Sequence, residues 1–499
     1  MFAAAVILGS AVLGSPLGAG IAHADEIVAG ATFNIPTGSE YEQNAILRKM
    51  TRAIDGTPSG ATIRMAFFSL TVPRFADKLI AAHKRGVNVR LLQDDHELGP
   101  DWKRLVSALG SNTSNRSWAL PCHRSCVSDE DPSYLHAKLY MFSSSYGVPY
   151  ITMYSSANPT FTQARVGWND MYTITRNSTM YDGGKLYFEK LTAGAIKDRC
   201  CTQSSGTPVD IYFTTTSGKY KAYYFPKGGE GWNDDPMYGV LQNIGCRGTA
   251  TGYGSSGRTT IKIAMYQWST LRVRLAEKLW SLDNAGCIVE VIYNPGTTDA
   301  AIISALTKSG GNYGAVKLTK AYEDRNGDGV AEHFVHNKYM IVNGIYAGDT
   351  SSKIVFAGSA NWTNTALHYG NEIMIKIADN TAYAAYADQY GKLLAWAKAI
   401  PTAPPPTPKP TPTPTPKPTP TPTPRPSPTL VPTPRPSSTL PPPTASPAPT
   451  AAPTPAPSPT IVIPPNAPPA GDTLLTEGEV RPIYDQPAMP NEQLPIWLE

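Results

Sequence analysis

Apolar and polar positions follow a pattern that occurs twice along the chain. An apolar run over residues 61–68 is followed by an amphipathic segment over 73–84, by Gly86, and by a second apolar run over 87–92. The same order returns later, at residues 260–266, 271–282, 286 and 287–293. A strand, a helix and a second strand predict a parallel pair joined by a right-handed crossover. We therefore expect two α/β units of similar design.

Each unit is followed by an apolar run that begins with a histidine and a lysine two residues apart. The first copy, over residues 134–142, contains His136 and Lys138, and the second, over residues 334–343, contains His336 and Lys338. Residues two apart on a strand point to the same face. Each histidine is therefore expected to project together with its lysine.

An asparagine and an acid follow each His-Lys pair. Each copy returns on a second apolar run that ends in a small-residue turn with Asn158 or Asn361. Asp170 comes twelve residues after Asn158, and Glu372 comes eleven residues after Asn361. A histidine, a lysine, an asparagine and an acid, repeated in one order, indicate a catalytic site.

These residue types suit the cleavage of a phosphodiester. A neutral imidazole is a competent nucleophile and a protonated one is a competent acid, so two facing histidines can divide the two tasks. The lysines can neutralise the phosphate, and the asparagines can donate hydrogen bonds that strengthen as charge builds up in the transition state. An acid behind each histidine would fix its tautomer. Nothing in this set of residues requires a metal or a cofactor.

The duplicated pattern resembles the phospholipase D superfamily, whose members carry two His-x-Lys-x4-Asp motifs. The resemblance covers most of residues 55–395. It implies two tandem α/β repeats, each a mixed, mostly parallel sheet flanked by helices, with a single active site at the pseudo-twofold interface. It also implies a covalent phosphohistidine intermediate that is released by water or by another alcohol.

The same resemblance assigns roles to individual residues. By analogy, His136 is expected to be the nucleophile and His336 the general acid. The full catalytic set that it implies is His136, Lys138, Asn158, Asp170, His336, Lys338, Asn361 and Glu372.

The chain departs from the family motif at the aspartate. Ser143 and Asn343 stand five residues after the two lysines, where the motif has Asp. This position at the end of a strand indicates a structural hydrogen-bonding role. Tyrosyl-DNA phosphodiesterases resemble this chain in lacking the Asp while they keep the His, Lys and Asn. The change therefore bears on the substrate more than on catalysis.

Composition adds limits on class and location. The net charge of +4 is mild and gives little reason to expect a protein that binds nucleic acid through bulk electrostatics. The six cysteines form an even set, which favours disulfides in an exported protein. Cys122 with Cys126 is the most local candidate pair, and the pairing of the others stays open.

The chain divides into segments of different character. An apolar start that ends in an Ala-x-Ala site indicates a secretory signal peptide, and a Pro/Thr-rich stretch indicates a disordered tether. The predicted segments are the signal peptide (1–24), the first half (25–208), the second half (209–400), the linker (401–470) and a short tail (471–499).

These observations predict a secreted, phospholipase D-like phosphoric diester hydrolase that cleaves phospholipid headgroup esters at a membrane surface. We expect a monomer that is extracellular or retained at the cell envelope, with no identifiable protein partner. One alternative is a secreted endonuclease that uses the same site on nucleic acid. Another is an envelope-tethered binding module with vestigial catalysis.

Overall fold

The computed structural model describes residues 27–128, 130, 132–196, 210–229 and 234–401. The predicted signal peptide, the tail and all but the first residue of the predicted linker lie outside these residues, as do Cys200 and Cys201. The predicted boundary between the halves, at residue 208, also lies outside them and stays a prediction.

Within the described residues, the first half is built on a seven-stranded sheet of order β1–β8–β6–β5–β2–β3–β4. The strands of this half are β1 (Gly30–Phe33), β2 (Thr62–Phe67), β3 (Asn88–Asp94), β4 (Trp118–Cys122), β5 (Leu139–Ser145), β6 (Val148–Ser155), β7 (Gly167–Trp168) and β8 (Asp170–Ile174). Its helices are α1 (Glu40–Gln43), α2 (Ala45–Asp55), α3 (Pro73–Lys84), α4 (Pro100–Leu109), α5 (Phe161–Arg165) and α6 (Ser178–Ile196).

The helix predicted over residues 73–84 is confirmed as α3. Pro73 opens the helix, where its missing N–H is not needed. Phe75 and Leu79 are buried on the face that packs on the sheet. Gly86 follows with a φ of +94°, a conformation that favours glycine after a helix end.

The second half repeats the first. Its strands are β9 (Phe213–Ser217), β10 (Tyr220–Tyr224), β11 (Ile244–Gly245), β12 (Thr260–Met265), β13 (Ile288–Tyr293), β14 (Lys317–Lys320), β15 (Tyr322–Glu323), β16 (His333–Val335), β17 (Lys338–Tyr346), β18 (Asp349–Gly358) and β19 (Ile373–Ala378). Its helices are α7 (Pro236–Gln242), α8 (Val273–Asn284), α9 (Ala300–Leu306), α10 (Asn364–His368) and α11 (Asn380–Ala399). In the described chain its sheet has the order β14–β13–β12–β17–β18–β19–β10–β9, with β11 beside β17.

The predicted fold class of two repeated α/β units is confirmed, with one correction. Three strands on one side of each sheet are parallel, β2–β3–β4 and β12–β13–β14. The remaining pairs are antiparallel, so the sheets are mixed and the expectation of mostly parallel strands is wrong. The reason is that each His-Lys strand returns on itself as a hairpin, which pairs antiparallel strands.

The two sheets share a core. Helices α6 and α11 bury Tyr187, Tyr386 and Leu393 in one hydrophobic cluster with residues of both sheets. Helices α2, α3 and α4 cover the outer face of the first sheet, and α7, α8 and α9 cover that of the second. None of the described helices has the length and apolar composition that crossing a membrane requires.

A small sheet joins the halves next to the two His-Lys strands. Strand β16 runs parallel to β7 of the first half, with Val335 opposite Trp168. The equivalent contact on the other side is a bridge between Leu135 and Asn371. The chain just before each histidine therefore pairs with backbone of the opposite half.

Candidate active site

The two histidines lie at the start of equivalent strands, and their backbones are held by the opposite half. The N–H of His136 donates to the carbonyl of Asn371 at 3.1 Å, and the N–H of His336 donates to the carbonyl of Trp168 at 3.0 Å. Both histidines are buried, with 5% and 2% of the residue surface exposed. The predicted pair is therefore brought together at the interface of the halves.

Glu372 is the acid behind His136. Its Oε1 lies 2.7 Å from Nδ1 of His136, and the carboxylate is buried. Ser359 donates a hydrogen bond to the other oxygen of the carboxylate. This arrangement fixes the tautomer in which Nδ1 of His136 carries the proton and Nε2 is left for chemistry. The acid comes from the second half and the histidine from the first.

Asn169, and not Asp170, lies behind His336. Oδ1 of Asn169 is 2.8 Å from Nδ1 of His336, so the expectation that Asp170 orients a histidine is wrong. Asp170 accepts hydrogen bonds from Asn337 (2.8 Å) and from the Tyr386 hydroxyl (2.9 Å). The physical reason is that successive residues of an extended chain point to opposite sides.

The spacing of residues along the sequence also indicates Asn169 rather than Asp170. Asn169 comes eleven residues after Asn158, as Glu372 comes eleven after Asn361. A serine of the same half donates to Asn169, as one does to Glu372. Burial raises the pKa of Asp170, and its partners on α11 and beside His336 make it part of the support for the site.

The two lysines fold back over their own histidines. Nζ of Lys138 donates to the carbonyl of His136, and Nζ of Lys338 donates to the carbonyl of His336 at 2.6 Å. Nζ of Lys338 also lies 3.0 Å from each ring nitrogen of His336. Nζ of Lys138 lies 5.9 Å from the centre of the Phe68 ring, which follows β2. Nζ of Lys338 lies 4.8 Å from the centre of the Tyr266 ring, which follows β12.

Burial in this site disfavours positive charge. It lowers the pKa of Lys138 to about 7, although nearby Glu372 acts in the opposite direction. It lowers the pKa of Lys338 well below the usual range, and Lys138 adds to this effect. It also lowers the pKa of His136 to about 4 and that of His336 well below its usual value. An anion bound here would favour the charged forms of all four groups.

The two asparagines lie in the turns that follow β6 and β18. Oδ1 of Asn158 accepts from the N–H of Phe68 at 3.1 Å, and the amide of Asn361 donates to Gln267 at 3.3 Å. The carbonyl of Asn361 accepts from Arg272, whose guanidinium is buried in an ion pair with Asp235. No local pattern in the sequence indicates the ion pair of Arg272 and Asp235, because the two residues are far apart along the chain.

The positions of the missing motif aspartates have structural hydrogen bonds, as the sequence predicted. Oγ of Ser143 accepts from the N–H of Thr62 at 2.8 Å. Oδ1 of Asn343 accepts from the N–H of Gly254 at 3.0 Å. Both residues lie inside their strands and not at the strand ends: Ser143 connects β5 to the first residue of β2, and Asn343 connects β17 to the loop before β12.

A third acid supports the loop before His136. Asp94 ends β3, and its carboxylate accepts from the N–H of Leu135 at 2.7 Å and from His96. Burial raises the pKa of Asp94 to about 6. Asp94, Asp95 and His96 have ligand-type atoms within 4.8 Å of one another, but the buried carboxylate is already engaged by these hydrogen bonds.

A family model matches both halves of the chain. The family is described as "Cardiolipin synthase, PLD-like domain", where PLD stands for phospholipase D, and the matched residues are 50–191 and 255–394. These two matches cover more than half of the chain and coincide with the two sheets. No curated protein matches the chain significantly.

Several solved structures are similar to the chain at low sequence identity. Phosphatidylserine synthase from Haemophilus influenzae Rd KW20 is 12% identical, with a TM-score of 0.46 over 74% of this chain and 88% of that one. Polyphosphate kinase from Porphyromonas gingivalis is 14% identical, with a TM-score of 0.44 over 71% of this chain. The chain covers 49% of the kinase's length. NucT from Helicobacter pylori is 23% identical, with a TM-score of 0.26 over 36% of this chain and 96% of that one.

The family assignment rests on the two matched repeats. They contain both His-Lys pairs and both asparagines, and the structure brings these pairs to one interface. The predicted resemblance is therefore confirmed. The chain belongs to the phospholipase D-like family of phosphodiester-active enzymes and has both repeats in one polypeptide.

Proposed function

We propose that the protein is a secreted phosphodiesterase that hydrolyses phospholipid headgroup esters through a phosphohistidine intermediate. The observation that best supports this proposal is the buried pair of histidines, one from each half. One is backed by Glu372 and the other by Asn169. The two have different partners, which suits two different chemical tasks.

His136 is the nucleophile in this proposal. Its Nδ1–H donates to Glu372, so the lone pair of Nε2 is free to attack phosphorus. As the N–P bond forms, the ring gains positive charge, which the carboxylate stabilises. The bond from phosphorus to the headgroup oxygen breaks, and that oxygen takes a proton from His336.

The second step reverses these roles. His336, now neutral, takes a proton from a water molecule that attacks phosphorus on the side that the headgroup has left. The N–P bond breaks and His136 is restored. The products are phosphatidic acid and a free headgroup alcohol. If an alcohol replaces the water, the outcome is transfer to that alcohol.

Electrostatics supports a phosphate as the reacting group. Lys138 and Lys338 are buried, and burial lowers the pKa of both. A bound phosphodiester would offset that burial and restore their charge. Both lysines and both asparagines could then hold the phosphate oxygens, on which charge increases in the transition state.

Four further observations support the lipid, export and monomer parts of the proposal. The matching family is described by the name of a phospholipid-forming enzyme, cardiolipin synthase. The net charge of +4 is mild and gives little bulk attraction to nucleic acid. The described cysteines form two disulfides, Cys122–Cys126 and Cys246–Cys287, which suit an oxidising compartment. The site takes one histidine from each half of a single chain, as a monomer requires.

The test offers the purified full chain, with EDTA present, vesicles of phosphatidylcholine and, separately, a single-stranded DNA oligonucleotide. We expect choline release that is lost in His136→Ala and in His336→Ala. His83→Ala is the matched control, because His83 lies on α3 and contacts Ser117 away from the site. Cleavage of DNA without choline release would replace the proposal with the nuclease alternative. No reaction with either would contradict it and favour the binding-module alternative.

A further inference from the structure

The loop closed by the Cys122–Cys126 disulfide contacts the segment that carries Glu372. The N–H of Cys126 donates to Oδ1 of Asn371 at 2.7 Å, across the interface of the two halves. Cys126 and Asn371 are both buried. Asn371 directly precedes Glu372, so this loop of the first half is bonded to the neighbour of the acid that orients His136.

The same loop also holds the chain that leads to His136. The N–H of Leu135 donates to the carbonyl of Arg124, inside the loop, at 3.2 Å. Asn371 donates its own N–H to Tyr134 at 2.9 Å and accepts from His136 at 3.1 Å. The loop therefore fixes both chain segments that meet in the histidine–carboxylate hydrogen bond.

Helix α6 packs closely against the loop 122–126. A Cβ atom added to Gly194 would lie 2.0 Å from the carbonyl oxygen of Cys126, so only glycine allows this approach. Arg124, at the centre of the loop, has a φ of +51°, which is uncommon for a residue with a side chain. The Cys122–Cys126 disulfide closes this tightly packed loop at its two ends.

We propose that Asn371 is a positioning residue, that the disulfide-closed loop 122–126 holds it, and that reduction of Cys122–Cys126 switches the active site off. A dithiol would supply the two electrons: its thiolate attacks one cysteine sulfur, the S–S bond breaks, both cysteines end as thiols and the dithiol becomes a disulfide. Once the loop opens, Asn371 loses its fixed donor, and the carboxylate of Glu372 moves relative to Nδ1 of His136. This inference rests on the proposed function wherever activity is the readout.

The second disulfide provides the matched control. Cys287 stands just before β13, and Cys246 follows β11. The site lies at the opposite end of this sheet, where Met265 at the end of β12 is paired with Lys338. Opening Cys246–Cys287 therefore removes a covalent link of the same kind without touching either segment of the histidine–carboxylate pair.

The experiment compares Cys122→Ser/Cys126→Ser with Cys246→Ser/Cys287→Ser in the full chain, so that Cys200 and Cys201 are present in both. We expect the first double variant to lower kcat by about tenfold or more, the range for loss of a supporting hydrogen bond, with KM nearly unchanged. It should also lose the downfield proton resonance of Nδ1–H of His136. The second double variant should keep both. Asn371→Ala should reproduce the first result with every sulfur in place.

Two outcomes overturn the inference. One is an unchanged kcat and resonance after Cys122–Cys126 is opened, and the other is an equal loss in both double variants. If the first serine variant does not fold, a dithiol is added to folded Cys246→Ser/Cys287→Ser, in which Cys122–Cys126 is the remaining disulfide of the described residues, and reduction followed by reoxidation provides the comparison. If the wild type cleaves no phosphodiester, the proposed function fails, while the resonance of His136 still decides the inference.

Discussion

Asn169 and Glu372 occupy equivalent positions in the two halves, yet one presents an amide to a histidine and the other presents a carboxylate. Asn169 lies 2.8 Å from Nδ1 of His336, and Glu372 lies 2.7 Å from Nδ1 of His136. A carboxylate favours the positively charged ring far more than an amide does. The two histidines of this pseudo-symmetric site are therefore chemically distinct.

This difference predicts which variant traps the intermediate. With a p-nitrophenyl phosphodiester, whose leaving group needs no acid, His336→Ala should form the phosphohistidine and then stall, because no base activates water. His136→Ala should form none. Acid-labile phosphate on the protein and a burst of nitrophenol measure this directly. Both variants should lose about 100-fold or more in steady-state kcat on an ordinary diester. Label on the His136→Ala protein would reverse the assigned roles.

Replacing the side chain that contacts Nδ1 of a catalytic histidine should change kcat or its pH profile. Asn169→Asp places a carboxylate beside His336, which favours its protonated form and raises its pKa. Because the general acid must be protonated, the alkaline limb of the kcat profile should move to higher pH. Glu372→Gln should instead lower kcat by about 10- to 100-fold. A profile of Asn169→Asp that moves to lower pH, or stays in place, would contradict this assignment.

Binding of a phosphate-like anion should take up protons. Burial lowers the pKa of Lys138 to about 7, so at pH 8 this amine is mostly neutral in the empty site. A bound sulfate, which does not titrate near pH 8, favours the ammonium form, and its affinity should fall as the pH rises above 7. Calorimetry in two buffers of different ionisation enthalpy measures the uptake.

The uptake assigned to Lys138 should disappear in Lys138→Met. Lys78→Met is the control, since Lys78 lies on α3 in an ion pair with Asp55, away from the site. Sulfate binding without proton exchange in the wild type would mean that the lysine is already charged.

Two helical glycines should respond in opposite directions to alanine. Gly194→Ala would place its Cβ 2.0 Å from the carbonyl oxygen of Cys126, and overpacking of this kind costs about 1–3 kcal/mol. Gly391→Ala on α11 meets nothing within 4 Å and should stabilise the helix by about 0.5–1 kcal/mol. Urea unfolding of the two variants compares them. Equal free energies of unfolding would mean that the packing of α6 against the disulfide loop is loose.

Much of the fold could be predicted because local signals repeat along the chain. The alternation of strand and helix periods identified both α/β units, and the bounds of α3 match the predicted residues 73–84. The two His-Lys pairs and the asparagines were visible because each motif is short and contiguous. The local disulfide Cys122–Cys126 was also predicted and is confirmed.

The remaining features depend on contacts that are distant along the chain. The carboxylate of Asp170 favours it as the orienting acid, whereas the structure places the neighbouring Asn169, which has the matching spacing, beside His336. Glu372 serves the histidine of the other half, a pairing that depends on how the two sheets meet. Tyr386, which supports Asp170 from α11, follows it by 216 residues. No local pattern could reveal that partner.

Each histidine is oriented by a residue of the opposite half. It therefore matters that the two copies are joined in one chain. In an assembly of two identical chains, every substitution behind one histidine would be made behind the other as well. A single polypeptide escapes that constraint, because the codons for residues 169 and 372 can diverge separately. The difference between an amide and a carboxylate is thus a property that an assembly of identical chains cannot have. This difference makes the two sides of the pocket chemically inequivalent, although the two repeats that form it are similar. Only one of the two orientations of a bound diester is then productive.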